Sequence, residues 1–80
     1  MTNRQLLLSA MVAKGYTAEK LADELNISRQ SMSYRINNRR PFKSNEISII
    51  AHLLGLSPAQ IIDIFFDKQV GKNSTTEEWE

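Results

Sequence analysis

The chain has 80 residues, enough for one small domain but too few to include a separate catalytic domain. With 41% hydrophobic and 24% charged residues, its composition is typical of a folded soluble protein rather than a disordered or fibrous one. The lack of cysteine excludes disulfides and thiolate metal sites, and the formal net charge of +1 does not by itself identify a partner.

The charges are distributed unevenly along the chain. Half of the ten cationic residues lie in Arg29–Lys43, which contains no acidic residue, whereas Glu77, Glu78 and Glu80 crowd the end. A protein that binds through a basic patch need not be basic overall. The longest apolar run near the N-terminus is Leu6–Leu8, too short for a signal peptide or a membrane span. We therefore expect a cytoplasmic protein without a membrane partner.

The first helix is predicted over Asn3–Lys14. Thr2 and Gln5 have the spacing of a capping box, in which each side chain accepts a hydrogen bond from the other residue's backbone amide. Gly15 then ends the helix. The inward positions recur at helical spacing, and they are Leu7, Ala10 and Met11.

A second and a third helix are predicted on either side of a very short connection. Thr17 caps the second helix, and Asn26 ends it because Asn tolerates the left-handed conformation. Ser28 caps the third helix only two residues later, so the two helices must cross steeply rather than pack antiparallel. The inward positions are Leu21, Ala22 and Leu25 in the second helix and Met32 and Ile36 in the third, with Ile27 as a plug between them.

A loop and a fourth helix follow. The loop spans residues 37–43, turns at Pro41 and is anchored by Phe42. Ser44 is predicted to cap the fourth helix, which Gly55 ends. The inward positions of this helix are Ile47, Ile50, Ala51 and Leu54.

A fifth helix completes the predicted domain. Ser57 and Gln60 form a capping box around a first-turn proline, and the helix extends to about Phe66, with Ile61, Ile64 and Phe65 turned inward. From Asp67 onward the apolar periodicity is lost. The sequence thus predicts an all-α, compact five-helix domain over residues 1–66 and a mobile, polar, acidic tail over residues 67–80.

Three motifs resemble the lambda-repressor-like, Cro/C1-type (XRE) helix-turn-helix domains of bacteriophage repressors and bacterial regulators. They are G-Y-T-x-x-x-L-A at 15–22, N-I-S-R-Q-S-M-S at 26–33 and E-I-x-x-I-A-x-x-L-G-L-S at 46–57, and the resemblance spans Leu7 to Phe66. The N-N-R-R-P-F loop and the closing I-F-F resemble a small phage-associated branch. This chain has Asn26 where the family often has glycine, and Ala18 where it often has a phosphate-binding glutamine.

The resemblance implies that the helix beginning at Arg29 enters the major groove of DNA. Arg29, Gln30 and Tyr34 then match the usual base readers, and Ser33 on the same outer face is a lesser contact. Arg matches guanine and Gln matches adenine through paired hydrogen bonds. Tyr34 has three open roles, which are contact with a thymine methyl group, contact with a phosphate and cover for the core.

The remaining polar and cationic residues of this region are predicted to contact the sugar-phosphate backbone. These are Thr17, Ser28, Arg35, Arg39, Arg40 and Lys43. The exposed amides of the loop after the third helix suit the same purpose. For the loop cations the alternative is a solvated charge run, and for Arg35 it is packing of the aliphatic stem against the core.

The resemblance also implies a homodimer on a pseudo-palindromic operator. Phe65 and Phe66 are adjacent, so one of them is a candidate subunit contact unless both lie in a broad core. Trp79 is predicted to be mobile, with a partner-binding peptide as the alternative.

The expected function is regulation of transcription by occupancy of a double-stranded DNA operator, as in a phage or prophage Cro-like or repressor-like protein. The alternative is a protein-interaction module of the same fold, of antitoxin or antirepressor type, that uses the fifth helix or the tail. No catalytic constellation is visible, and the single histidine, His52, lacks companion metal ligands. We therefore expect no enzyme activity, no cofactor, no metal and no small-molecule ligand.

Overall fold

The computed structural model describes residues 1–67, which form five α-helices. They are α1 (Arg4–Ala13), α2 (Ala18–Leu25), α3 (Arg29–Ile36), α4 (Ser44–Leu54) and α5 (Pro58–Phe65). Within residues 1–67 no strand is present. The prediction of an all-α, five-helix protein is confirmed at this level. Except for Asp67, the predicted tail, including Trp79 and the three glutamates near it, lies outside the described residues.

Local sequence signals set most helix ends. The hydroxyl groups of Thr17, Ser28 and Ser57 accept hydrogen bonds from the backbone amides three residues later, at the starts of α2, α3 and α5. Asn26 and Gly55 end α2 and α4 in the left-handed conformation, with φ of 58° and 63°. These five predicted boundaries are confirmed.

Two predicted caps are wrong. Asn3, not Thr2, caps α1, and its side chain accepts a hydrogen bond from the Leu6 amide. Thr2 is instead buried, with only 4% of its surface exposed. At α4 the N-cap is Lys43, whose amide donates to Glu46 Oε1 at 2.9 Å, so that Ser44 is the first helical residue. The Glu46 carboxylate thus accepts the amide of the N-cap residue, whereas the predicted Ser44 hydroxyl would have accepted an amide inside the first turn.

The core draws on all five helices. Leu7 and Met11 of α1, Leu21 of α2, Met32 of α3 and Ile50 of α4 are almost completely buried, and Ile64 and Phe65 add the contribution of α5. Of the predicted inward positions, Ala10, Ile47, Ala51 and Ile61 are only partly buried. Phe42 anchors the α3–α4 loop as predicted, because its ring packs edge to face on that of Phe65, with 5.3 Å between the ring centroids.

The N-terminal residues are held against the end of α5. The Asn3 amide donates to the Ile64 carbonyl at 2.6 Å, and the Asp67 amide donates to the Met1 carbonyl at 3.1 Å. The Asn3 side chain also donates to Asp67 Oδ2 at 2.7 Å. Asp67 therefore belongs to the fold rather than to the predicted tail.

Candidate nucleic-acid interface

A three-residue turn, Asn26–Ser28, joins α2 to α3. Asn26 adopts the left-handed conformation that ends α2, and the Ile27 amide donates to the Ala22 carbonyl at 3.0 Å. Ile27 is half-buried and packs against the core, as predicted for a plug. The turn thus holds α3 directly against α2 and leaves the opposite side of α3 uncovered.

The two sides of α3 have different chemistry. Met32 and Ile36 are buried, as predicted. Arg29, Gln30 and Ser33 are exposed and Tyr34 is half-buried. We call these four residues, together with Asn37 at the end of the helix, the outer face of α3. This face carries no acidic side chain.

One part of the outer face is a chain of contacts from Gln30 to Arg39. Gln30 Nε2 donates to the Tyr34 hydroxyl at 2.9 Å, and the Arg39 guanidinium lies over the Tyr34 ring at 5.7 Å. A Gln side chain has two amide hydrogens and one carbonyl oxygen, so this bond leaves one donor and the acceptor free. The bond to Tyr34 therefore holds the amide of the exposed Gln30 while one N–H and the carbonyl oxygen stay available.

A second part of the outer face connects α3 to α1. Asn37 Nδ2 donates to the Ser33 carbonyl at 2.9 Å and to Ser33 Oγ at 3.3 Å. Arg4 Nε donates to Asn37 Oδ1 at 3.0 Å. Neither Arg4 nor Asn37 is among the residues predicted from the sequence, since no local pattern connects positions that are 33 residues apart.

Arg35 does not lie on the outer face. Its side chain is 10% exposed and forms an ion pair with Glu46, from Nε to Oε1 at 2.9 Å, while Nη1 donates to the Ser31 carbonyl at 3.1 Å. This ion pair corrects the expectation that Arg35 contacts phosphate, because its charge is already neutralised inside the fold. Glu46 also accepts the Lys43 amide, so the pair fixes the α3–α4 loop against α4.

The cations of the α3–α4 loop are displayed by the turn that ends α3. Arg39, Arg40 and Lys43 are exposed. The amides of Arg39 and Arg40 donate to the Tyr34 carbonyl at 2.8 and 3.3 Å, and Asn38 before them has a φ of 63°. The expectation that loop amides are free for phosphate is wrong at Arg39, Arg40 and Lys43. What these residues offer to a ligand is side-chain charge.

Thr17 and Ser28, two predicted phosphate contacts, are exposed helix caps. Thr17 Oγ1 accepts the Lys20 amide at 3.1 Å, which leaves its own hydrogen available to donate. Ser28 Oγ accepts the Ser31 amide and donates to Ser31 Oγ at 3.1 Å. Ser28 therefore has its hydrogen already engaged, and Thr17 is the better placed of the two hydroxyl groups to donate to an anion.

A separate, apolar surface surrounds the end of α5. Phe66 is 54% exposed and Ile62, one turn earlier, is 58% exposed. Phe65 is 4% exposed and packs on Phe42, so the prediction that Phe65 is a candidate subunit contact is wrong. Side-chain directions rotate by about 100° per residue around a helix axis, and Phe66 is the C-cap that follows the last residue of α5, so its ring leaves the helix on a different side from that of Phe65.

Comparison with known protein families gives a match to a family that has no assigned activity. This family, whose description is protein of unknown function (DUF739), matches residues 4–68. No curated protein and no solved structure matches the chain. In the described part of the chain, every helix is too short or too polar to cross a membrane.

Proposed function

The chain belongs to the DUF739 family of proteins of unknown function, and from that starting point we propose that it binds double-stranded DNA sequence-specifically and regulates transcription. The observation that carries this proposal is the outer face of α3. It is uncovered, polar and free of acidic residues, and exposed cations flank it in the α3–α4 loop. We also propose that the protein acts on DNA in the cytoplasm.

In this proposal α2 and α3 are a helix-turn-helix unit of the lambda-repressor-like type, and α3 is the recognition helix. An α-helix with its side chains is about 10–12 Å wide, which suits a major groove about 12 Å wide. The resemblance of residues 15–33 to that family supports this assignment. The short turn at Asn26–Ser28 and the uncovered side of α3 support it independently.

Base reading is assigned to the N-terminal half of α3. Gln30 presents one donor and one acceptor beyond its bond to Tyr34, which is the pair required for adenine. Arg29 is exposed beside it and has the donor pair that guanine accepts. Ser33 is a lesser base contact, and Tyr34 acts by holding Gln30 and by contacting a thymine methyl group or a phosphate.

Contacts with the DNA backbone are assigned to residues that surround α3. Arg39, Arg40 and Lys43 would neutralise phosphates beyond the recognition helix, and Thr17 would donate from the start of α2. Such contacts fix the register of the protein on DNA without reading its sequence.

Regulation would work by occupancy. A protein that sits on an operator overlapping a promoter excludes the polymerase, as a phage or prophage Cro-like protein does, and needs no effector domain. Two copies joined through Phe66 would read the two halves of a pseudo-palindromic operator.

A second candidate function is supported by the exposed Ile62 and Phe66. A protein-interaction module of the same fold, of antitoxin or antirepressor type, would bind its partner through this surface of α5. Such a module has no need of the cationic surroundings of α3. The two functions therefore predict different results. Removing cationic side chains near α3 should abolish activity in a DNA-binding protein, whereas removing apolar side chains from α5 should abolish it in an interaction module.

The test is a gel-shift titration with the DNA upstream of the protein's own gene, at graded salt and with excess competitor DNA. Specific binding is expected to exceed binding to a scrambled duplex by at least about a thousand-fold. Equal affinity for both duplexes at every salt concentration would contradict sequence-specific recognition. No binding to either duplex at low salt would favour the interaction module.

A further inference from the structure

We propose that Arg4, at the start of α1, is a further DNA-backbone contact located at the C-terminal end of the recognition helix. This inference rests on the proposed function and adds a contact from an element outside the helix-turn-helix unit. Arg4 is exposed, and its guanidinium is fixed to α3 by the bond from Nε to Asn37 Oδ1 at 3.0 Å.

Two adjacent asparagines bring the start of α1 to this position. Asn37 holds Arg4, while Asn38 binds the backbone of Thr2 in both directions, because it accepts from the Thr2 amide and donates to the Thr2 carbonyl, each at 2.9 Å. Asn38 makes this pair of bonds from the left-handed conformation, which Asn adopts more readily than most residues. We call Asn37 and Asn38 with residues 2–4 the asparagine clasp.

The clasp leaves the binding groups of Arg4 available. Only Nε is used toward Asn37, so the terminal nitrogens remain free to donate to anionic oxygens. Arginine binds phosphate through paired, charge-assisted hydrogen bonds from such nitrogens. Because Asn37 is itself fixed to Ser33, the side chain of Arg4 is ordered by α3 before any ligand arrives, which lowers the entropy lost on binding.

The position of Arg4 favours phosphate over a base. Arg29 and Gln30 lie in the first turn of α3, whereas Asn37 caps its other end. A helix of eight residues is about 12 Å long, comparable to the width of the major groove. When the first turn of α3 contacts base edges, a cation at the opposite end therefore lies about a groove width away, at the distance of the flanking backbone.

The test compares two substitutions that remove the same charge from opposite ends of α1. Arg4→Gln is expected to lower the slope of log binding constant against log salt by about one and to weaken specific and non-specific binding alike. Lys14→Gln, on the residue that caps the far end of α1, is expected to leave the slope unchanged. Far-UV circular dichroism verifies that both variants are folded.

Asn37→Ala tests how Arg4 is positioned. It is expected to weaken DNA binding in the wild-type background and to have a much smaller effect when Arg4→Gln is already present, which a double-mutant cycle measures. Additive effects of the two substitutions would overturn the role assigned to Asn37.

Arg39→Gln separates failure of this inference from failure of the proposed function. If Arg39→Gln lowers the salt slope while Arg4→Gln behaves like Lys14→Gln, only the assignment of Arg4 is overturned. If the wild-type protein does not bind DNA at low salt, the proposed function is overturned and this inference with it.

Discussion

The outer faces of α3 and α5 differ in the contacts that they can make, although both helices have eight residues and a serine cap. The outer face of α3 is polar, and its side chains bond to one another and to cations from other elements. The outer side of α5 exposes Ile62 and, at its end, Phe66. Surface chemistry, rather than helix length or capping, distinguishes the face that we propose binds DNA from the one that we propose binds another protein.

The two regions share one core and are nevertheless attached to it differently. On α3, an ion pair between Arg35 and Glu46 lies beside the buried Met32 and Ile36. On α5, the buried residues Ile64 and Phe65 are apolar. The edge-to-face contact of Phe42 with Phe65 links the loop after α3 to α5, so a change in the packing of one region is expected to reach the other.

The largest effect is expected from breaking the ion pair between Arg35 and Glu46, which holds α3 to the core and has no counterpart among the buried residues of α5. Arg35→Ala should lower the free energy of unfolding by about 3–5 kcal/mol, because it leaves the buried Glu46 carboxylate without its partner. Replacing both residues, as in Arg35→Met with Glu46→Leu, should recover part of that loss, because no charge is left unpaired although the Lys43 amide also loses its acceptor. Urea unfolding followed by circular dichroism measures both changes. A double variant as unstable as Arg35→Ala would contradict this account.

A smaller effect, on binding alone, is expected on the outer face of α3. Arg29→Ala and Gln30→Ala should each lose about 1–3 kcal/mol of affinity for the best operator while keeping most non-specific binding. Tyr34→Phe provides a matched test for Gln30, since it removes only the hydroxyl that holds the amide. Titrations on operator and scrambled duplexes measure these changes. Equal losses of affinity on both duplexes would show that Arg29 and Gln30 contact the DNA backbone instead of the bases.

The asparagine clasp lies between the two regions, and weakening it should have a still smaller effect on stability. Asn38→Gly keeps the left-handed conformation and removes only the two bonds to Thr2, for an expected loss of about 1–2 kcal/mol. Asn38→Ala should cost about 1 kcal/mol more, because alanine is strained at positive φ. Thermal unfolding of the two variants distinguishes the contributions. Identical stabilities would show that backbone strain is unimportant at this position.

The smallest effect on stability is expected at the exposed end of α5. Phe66→Asp should lower the free energy of unfolding by no more than about 1 kcal/mol, because 54% of Phe66 is exposed. If Phe66 joins two copies, the same variant should sediment as a monomer and bind the full operator much more weakly. Val12→Asp, at a still more exposed apolar residue of α1, is the control. An unchanged dimer would move the interface elsewhere, and an unfolded variant would place Phe66 in the core.

Signals within a few residues explain what could be predicted from the sequence. Hydroxyl caps at Thr17, Ser28 and Ser57 and left-handed stops at Asn26 and Gly55 act on neighbouring amides and carbonyls, so the local pattern was enough. The inward positions of α3 followed from helical spacing in the same way.

Contacts between distant residues explain what could not be predicted from the sequence. The partners of Arg4 and Thr2 lie 33 and 36 residues away, so their bonds to Asn37 and Asn38 depend on how α1 meets the end of α3. Arg35 looks like the other cations of its segment until its distance to Glu46 is known. A run of like charges predicts a cationic surface, but tertiary packing decides which of its members reach that surface.

The buried ion pair also constrains how relatives of this protein can diverge. A substitution at position 35 or 46 alone is expected to destabilise the fold, because it leaves a buried charge unpaired, whereas an apolar pair at both positions is expected to be tolerated. Positions 35 and 46 are therefore expected to covary within the family. Lineages that carry an apolar pair would retain α3 without its buried arginine.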